Sequence, residues 1–109
     1  MKERTLQFAK DVTEFVKTLP KTPANIEYIK QLIRSSGSIG ANYIEADESL
    51  SKKDFAMRIK ICRKESKESA YWLKLIECNS EQSNNRRVLL VDEATQLVKI
   101  FNSIVEKSK

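Results

Sequence analysis

Arg34-Ser35-Ser36-Gly37-Ser38-Ile39-Gly40-Ala41-Asn42-Tyr43-Ile44-Glu45-Ala46 is the stretch whose reading decides the fold. It is rich in small residues, holds both glycines of the chain, and still carries apolar residues at helical spacing. Each glycine weakens an isolated helix by roughly 1 kcal/mol relative to alanine, so a break at Ser35–Gly40 into two short helices is one reading. The other is a single continuous helix, and the spacing favours it. Tyr28, Ile29, Leu32, Ile33, Ser36, Ile39, Gly40, Tyr43 and Leu50 mark one face, and no proline interrupts them. On that reading Ser36 and Gly40, one turn apart, let a neighbouring helix approach closely. Gly37-Ser38-Ile39-Gly40 matches no phosphate-loop pattern, and no strand precedes it.

Working outward, Thr22-Pro23 starts this helix, with Thr22 as N-cap and Pro23 in the first turn. The expected span is 23–49. Upstream, Leu6, Phe8, Ala9, Val12, Phe15, Val16 and Leu19 predict a one-sided helix over 5–19, closed by Pro20. Downstream, Ser51-Lys52-Lys53-Asp54 reads as a capping box, with Asp54 reaching back, opening a helix over 52–79. That helix carries two apolar stripes: Phe55, Ile59, Cys62, Leu73 and Ile76, and beside them Met57, Ile61, Trp72 and Leu75. One stripe suffices for a lone bundle, so the second predicts another subunit. After the polar connection 80–85, a fourth helix is expected over 86–107, with Leu90, Ala94, Leu97, Val98, Phe101, Ile104 and Val105 inward. Val88, Leu89 and Ile100 fall off that stripe and are available to an interface. The expected fold is all-α, an antiparallel up-down-up-down four-helix bundle in a single domain, 1–109.

Composition agrees. The 109 residues contain only two glycines and two prolines, which argues against a turn-rich β-sandwich. The absence of histidine removes histidine-based triads, histidine metal sites and the Glu-x-x-His pattern of di-iron bundles. Cys62 and Cys78, read as lying on one helix, would be about 24 Å apart at helical rise, beyond disulfide reach. Reduced thiols, the lack of a signal-peptide core and the lack of a membrane-length apolar run together predict a cytoplasmic protein without membrane contact.

Several ordered motifs carry a resemblance. Leu32-Ile33-Arg34-Ser35, Ser38-Ile39, Asn42-Tyr43-Ile44-Glu45 and Ala46 resemble the signature of the 23S rRNA-intervening-sequence proteins, also called four helix bundle proteins. Arg4-Thr5-Leu6-Gln7-Phe8-Ala9, Lys53-Asp54-Phe55 and Lys64-Glu65-Ser66-Lys67-Glu68-Ser69-Ala70-Tyr71-Trp72-Leu73 agree with the family in order. Tyr43 stands where isoleucine is common, and Ala46 where glycine is common. The resemblance implies an all-α bundle that assembles into a ring, a pentameric homo-oligomer, with no established activity. The chain is also similar, more distantly, to the accessory protein of diversity-generating retroelements, a pentameric bundle that binds nucleic acid and a reverse transcriptase. That second likeness is one of fold, which does not by itself carry function.

Two constellations carry chemistry. On a helical wheel Lys52, Lys53, Lys60, Arg63, Lys64 and Lys67 fall within an arc of about 120°, while Asp54, Glu65 and Glu68 point elsewhere. Such a stripe suits contact with RNA or DNA phosphates, independent of sequence and sensitive to salt. It equally suits a solvated face on a protein whose net charge is +5. The stripe's aromatic content is limited to Tyr71, which gives base stacking little support. The second constellation is Glu65 and Glu68, which fall on the apolar arc beside Trp72 and need partners if buried. Arg34 is the natural one, with Ser38 and Asn42 as hydrogen-bond donors, in a network that fixes register between the second and third helices. Two carboxylates without histidine give little support to acid–base chemistry or a metal site, so no catalytic residue, cofactor or metal is expected. The functional readings are a non-enzymatic nucleic-acid-binding bundle, or a protein-interaction scaffold whose charge is incidental.

Overall fold

Thr22, Ser51 and Ser80 each stand in extended backbone immediately before a helix. Their hydroxyl oxygens accept the backbone N–H groups of Asn25, Asp54 and Ser83, at 3.1, 3.1 and 3.0 Å. Each satisfies one of the donors that a helix N-terminus leaves without an internal partner. In the computed structural model, which describes residues 1–109, these caps open three of four helices: α1 (Lys2–Val16), α2 (Pro23–Asp47), α3 (Lys52–Leu75) and α4 (Glu81–Lys107). The fold is all-α, with no strand. α2 packs on α1 and α3, and α4 packs on α3 and α1, an arrangement compatible with a bundle. The molecule measures 46 × 20 × 19 Å, with Phe8, Phe15, Leu32, Ile39, Ile59, Leu73, Leu97 and Phe101 at its centre.

α2 runs without a break through Ser35–Gly40. The two glycines have different reasons to be there. A Cβ added at Gly40 would lie 3.1 Å from Thr5 Oγ1, so Gly40 lets α1 press closely on α2. At Gly37 an added Cβ would meet nothing within 4 Å. Gly37→Ala should therefore raise stability by about 1 kcal/mol, through helix propensity alone. Gly40→Ala should gain less or lose, because Thr5 Oγ1 is held by bonds to the carbonyls of Met1 (2.9 Å) and Lys2 (3.1 Å). Urea unfolding of both variants checks this; equal gains would mean that α1 does not press on Gly40.

The helix ends differ from the expectation in informative ways. α3 stops at Leu75, not 79, because Asn25 captures the chain beyond it. Asn25, fully buried near the start of α2, accepts from Glu77 N (2.8 Å) and donates to the carbonyls of Glu77 and Pro20 (2.9 Å each). Cys78 thus lies beyond α3, and the one-helix separation inferred for the two cysteines does not apply; both are nonetheless free thiols. α4 begins at Glu81 instead of 86, since Ser80 caps it and five polar residues make up its first turn and a half. Arg87 reaches back to the carbonyl of Ile76 and to Asn84, closing this corner. Of the reciprocal capping box at Ser51, only the Ser51 half forms; Asp54 makes no bond back. Three residues expected inward lie outside: Leu50 is 99% exposed because α2 ends at Asp47, and Leu6 and Ile33 are half-exposed.

Candidate nucleic-acid interface and the polar joint behind it

α3 is amphipathic in charge as well as in hydropathy. Ile59, Cys62, Ser66, Ser69 and Leu73 are buried on one side, which turns the basic arc to solvent. Lys52, Lys53, Lys60, Lys64 and Lys67 are exposed, and Arg63 is half-buried with its Nη1 donating to Asn102 Oδ1 at 2.8 Å. None of the six has a carboxylate within ion-pair distance, whereas Lys2, Arg4, Lys17, Lys30, Arg34 and Lys109 each do. Lys74 falls in the same arc, is exposed and is also unpaired; the sequence signal for it is the same helical spacing. Lys52, at the start of α3, lines a cleft with Asp47, Lys107 and Lys109.

Behind the basic arc, the expected network is present in altered form. Glu65 is 3% exposed, yet carries a charge-bearing group. Arg34 bridges from α2, its Nη1 3.1 Å from Glu65 Oε2 and its Nη2 3.2 Å from Glu68 Oε2. Burial works to raise the Glu65 carboxyl, but hydrogen bonds with Glu68 and Ser38 and the Arg34 guanidinium outweigh it and hold Glu65 below its ordinary value. Glu68 is pushed upward, first by its hydrogen bond to Glu65, then by burial and the neighbouring charge. The two carboxyls share one guanidinium and titrate together as a pair.

Asn42 does not join the carboxylates. It donates to Ser38 O (2.9 Å) and Oγ (3.0 Å), and its own oxygen accepts from Arg58 Nη1 at 3.0 Å. A donor to a serine on its own helix, one turn back, is geometrically nearer than a carboxylate on α3. Arg58 belongs to the joint although the sequence reading passed it over. So does the buried pair Ser35–Ser69, whose hydroxyl oxygens lie 2.9 Å apart. The close approach of α2 to α3 runs through Ser35 and Ser69, while Ser36, also buried, and Gly40 lie on the neighbouring rows of α2. The residue types at 66 and 69, small and polar on an apolar arc, were the available signal.

Cys62 donates its thiol to the Ile39 carbonyl at 3.4 Å, and burial pushes its pKa up to about 12, which makes it an inert core group. Nowhere do three Cys, Asp or Glu side chains converge in a way that could hold a metal ion. No helix is long and apolar enough to cross a membrane.

With the four helices and the Arg34 joint in place, comparison with known proteins is direct. Residues 1–103 match the family described as 23S rRNA-intervening sequence protein. The chain belongs to that family. A crystal structure of a family relative, a protein with unknown function from the S23 ribosomal protein family of Bacteroides thetaiotaomicron VPI-5482, is 31% identical. It superposes with a TM-score of 0.82, over 95% of this chain and 96% of that one. Among curated proteins none matches. The two departures from the 23S rRNA-intervening sequence signature are accommodated: Tyr43 packs its ring 6.3 Å from Phe101, and Ala46 is buried in the core.

Proposed function

We propose that this 23S rRNA-intervening sequence protein is a non-enzymatic, oligomeric four-helix bundle that binds RNA or DNA through the basic face of α3, by its phosphate backbone and without sequence preference. The observation that carries the reading is the run of unpaired cations along one face of a rigid helix. A solvating surface usually interleaves both signs, whereas an unneutralised stripe releases counterions when it meets phosphates. The absence of a chemical role is supported by the joint itself: its carboxylates are engaged by Arg34, and the buried thiol is held protonated.

The same reading takes neighbouring helices as antiparallel. Lys2 at the start of α1 pairs with Asp47 at the end of α2 (2.7 Å), and Thr18 near the end of α1 meets Ser83 at the start of α4 (3.4 Å). It also takes the bundle as a protomer of a ring, a pentamer by family likeness, which would align several basic faces and raise the effective concentration of each. Support for assembly comes from apolar surface left open: Leu6 and Ile44 at 54% and 53% exposed, flanking a groove with Ala9, Gly37 and Ala41, and Val88 and Leu89 on α4. That open surface also favours the second reading, a protein-interaction scaffold.

Titrating labelled RNA and DNA of arbitrary sequence at about 50 and 200 mM salt decides between them. Binding that weakens steeply with salt and ignores sequence is expected. No binding at the lower salt sinks the nucleic-acid reading and leaves the scaffold.

A further inference from the structure

The tertiary fold adds to the basic face an element that its sequence spacing alone does not show. Tyr71 follows Lys67 by one helical turn, about 6 Å along α3, and falls inside the basic arc. It is 58% exposed and meets Trp72 edge-on, with ring centroids 5.2 Å apart. Trp72 in turn lies against Tyr28 of α2, at 6.2 Å and tilted 30°. Three aromatic rings from two helices thus form one contiguous cluster, with Tyr71 its exposed member. Beside it opens a cleft of about 390 Å³ lined by Gln31, Arg34, Lys67, Glu68, Tyr71 and Trp72. The one acid in that cleft, Glu68, is tied to Arg34 at 3.2 Å, which offsets part of the charge it presents to an incoming phosphate.

We propose that this cluster is a base-stacking platform and that the protein selects single-stranded over duplex nucleic acid. The inference rests on the nucleic-acid reading above and sharpens its substrate class. A base within a duplex has both faces covered by its neighbours, so only an unpaired base offers a face to Tyr71. A phosphate held by Lys67 or Lys64 places the base it carries within reach of the ring one turn further on. Electrostatics alone predicts the opposite preference, because duplex DNA has the denser charge and releases more counterions per contact. A single-strand preference therefore reports stacking. Aromatic stacking is sugar-tolerant, so RNA and DNA strands are expected to bind alike.

The test compares oligo(U) and oligo(dT) with a duplex of the same length at about 100 mM salt, by fluorescence anisotropy and by emission of Trp72, the only tryptophan in the chain. Expected are about tenfold tighter binding of both single strands, quenching of Trp72 by single strands only, loss of the preference in Tyr71→Ala, and its retention in Tyr71→Phe. Tyr71 is largely exposed, so neither variant should disturb folding, which a thermal melt checks. Equal binding of strand and duplex with unchanged Trp72 emission overturns the platform and leaves the basic-face reading standing. So does a Tyr71→Ala variant that weakens both ligands equally. Failure of every ligand to bind at low salt overturns both readings together.

Discussion

Arg34→Ala should lower stability at neutral pH by about 2–3 kcal/mol, one of the largest effects expected of any surface-reaching residue in this protein. Removing one partner of a buried ion pair typically costs about 3–5 kcal/mol, because the remaining charge stays desolvated and unpaired. The lower figure applies here because the Arg34 side chain is 56% exposed, so part of its attraction is already screened by water. Glu65, by contrast, is buried and cannot turn to solvent without moving α3. The pH dependence makes the effect diagnostic. The folded-state value of Glu65 lies below its ordinary value of 4.5, so its contribution is present above pH 4.5 and lost as pH falls through the lower folded value. Without Arg34 the carboxyl loses a group that lowers it, its folded value moves upward, and the penalty is largest when Glu65 is charged. The gap between wild-type and variant should thus narrow on acidification below about pH 4.5. Urea unfolding of both proteins between about pH 7 and pH 3 measures it. A penalty under about 0.5 kcal/mol, or one that does not change with pH, would show that the joint does not hold α2 to α3.

Changing Lys60, Arg63, Lys64 and Lys67 together to glutamine should weaken nucleic-acid binding on the order of a thousandfold at about 50 mM salt. Each cation lost from a single-strand contact removes roughly 0.7 from the slope of log affinity against log salt, so the slope should fall by about 3. The difference between variant and wild-type should shrink as salt rises, since it is made of counterion release. Stability should change by less than about 1 kcal/mol, because none of the four is in an ion pair and only Arg63 makes a side-chain bond, to Asn102. Anisotropy titrations across salt, with a urea melt of the same samples, separate the two effects. An unaltered salt slope would falsify the assignment of α3 as the contact face. This variant should weaken strand and duplex both, whereas loss of the Tyr71 ring should affect the strand alone.

Much of the architecture was legible because it depends on local periodicity. The period of apolar residues specifies four helices, and Thr22, Ser51 and Ser80 are short polar side chains whose capping geometry needs only neighbours three residues away. The Arg34–Glu65–Glu68 joint was legible for a related reason. Carboxylates on an apolar arc require a cation, and Arg34 is the cation on the facing helix that helical spacing brings opposite. The ends of α3 and α4 were not legible. Asn25 stops α3 through bonds across 52 residues of sequence, and a polar first turn such as 81–85 has no apolar pattern to betray it. Asn42 was misassigned because a bond to Ser38 on its own helix competes with any bond across the joint.

The Arg34–Ala46 stretch shows where the boundary falls. Its sequence alone determined a helix, since apolar phase persists through two glycines and no proline intervenes. Only the tertiary structure decided what each small residue faces: Gly40 the hydroxyl of Thr5, Ser35 the hydroxyl of Ser69, and Gly37 open space. Periodicity gives the direction a side chain points around its own axis. The identity of the atom it meets depends on the rotation and height of a different helix, and those are set by packing between segments distant in the chain.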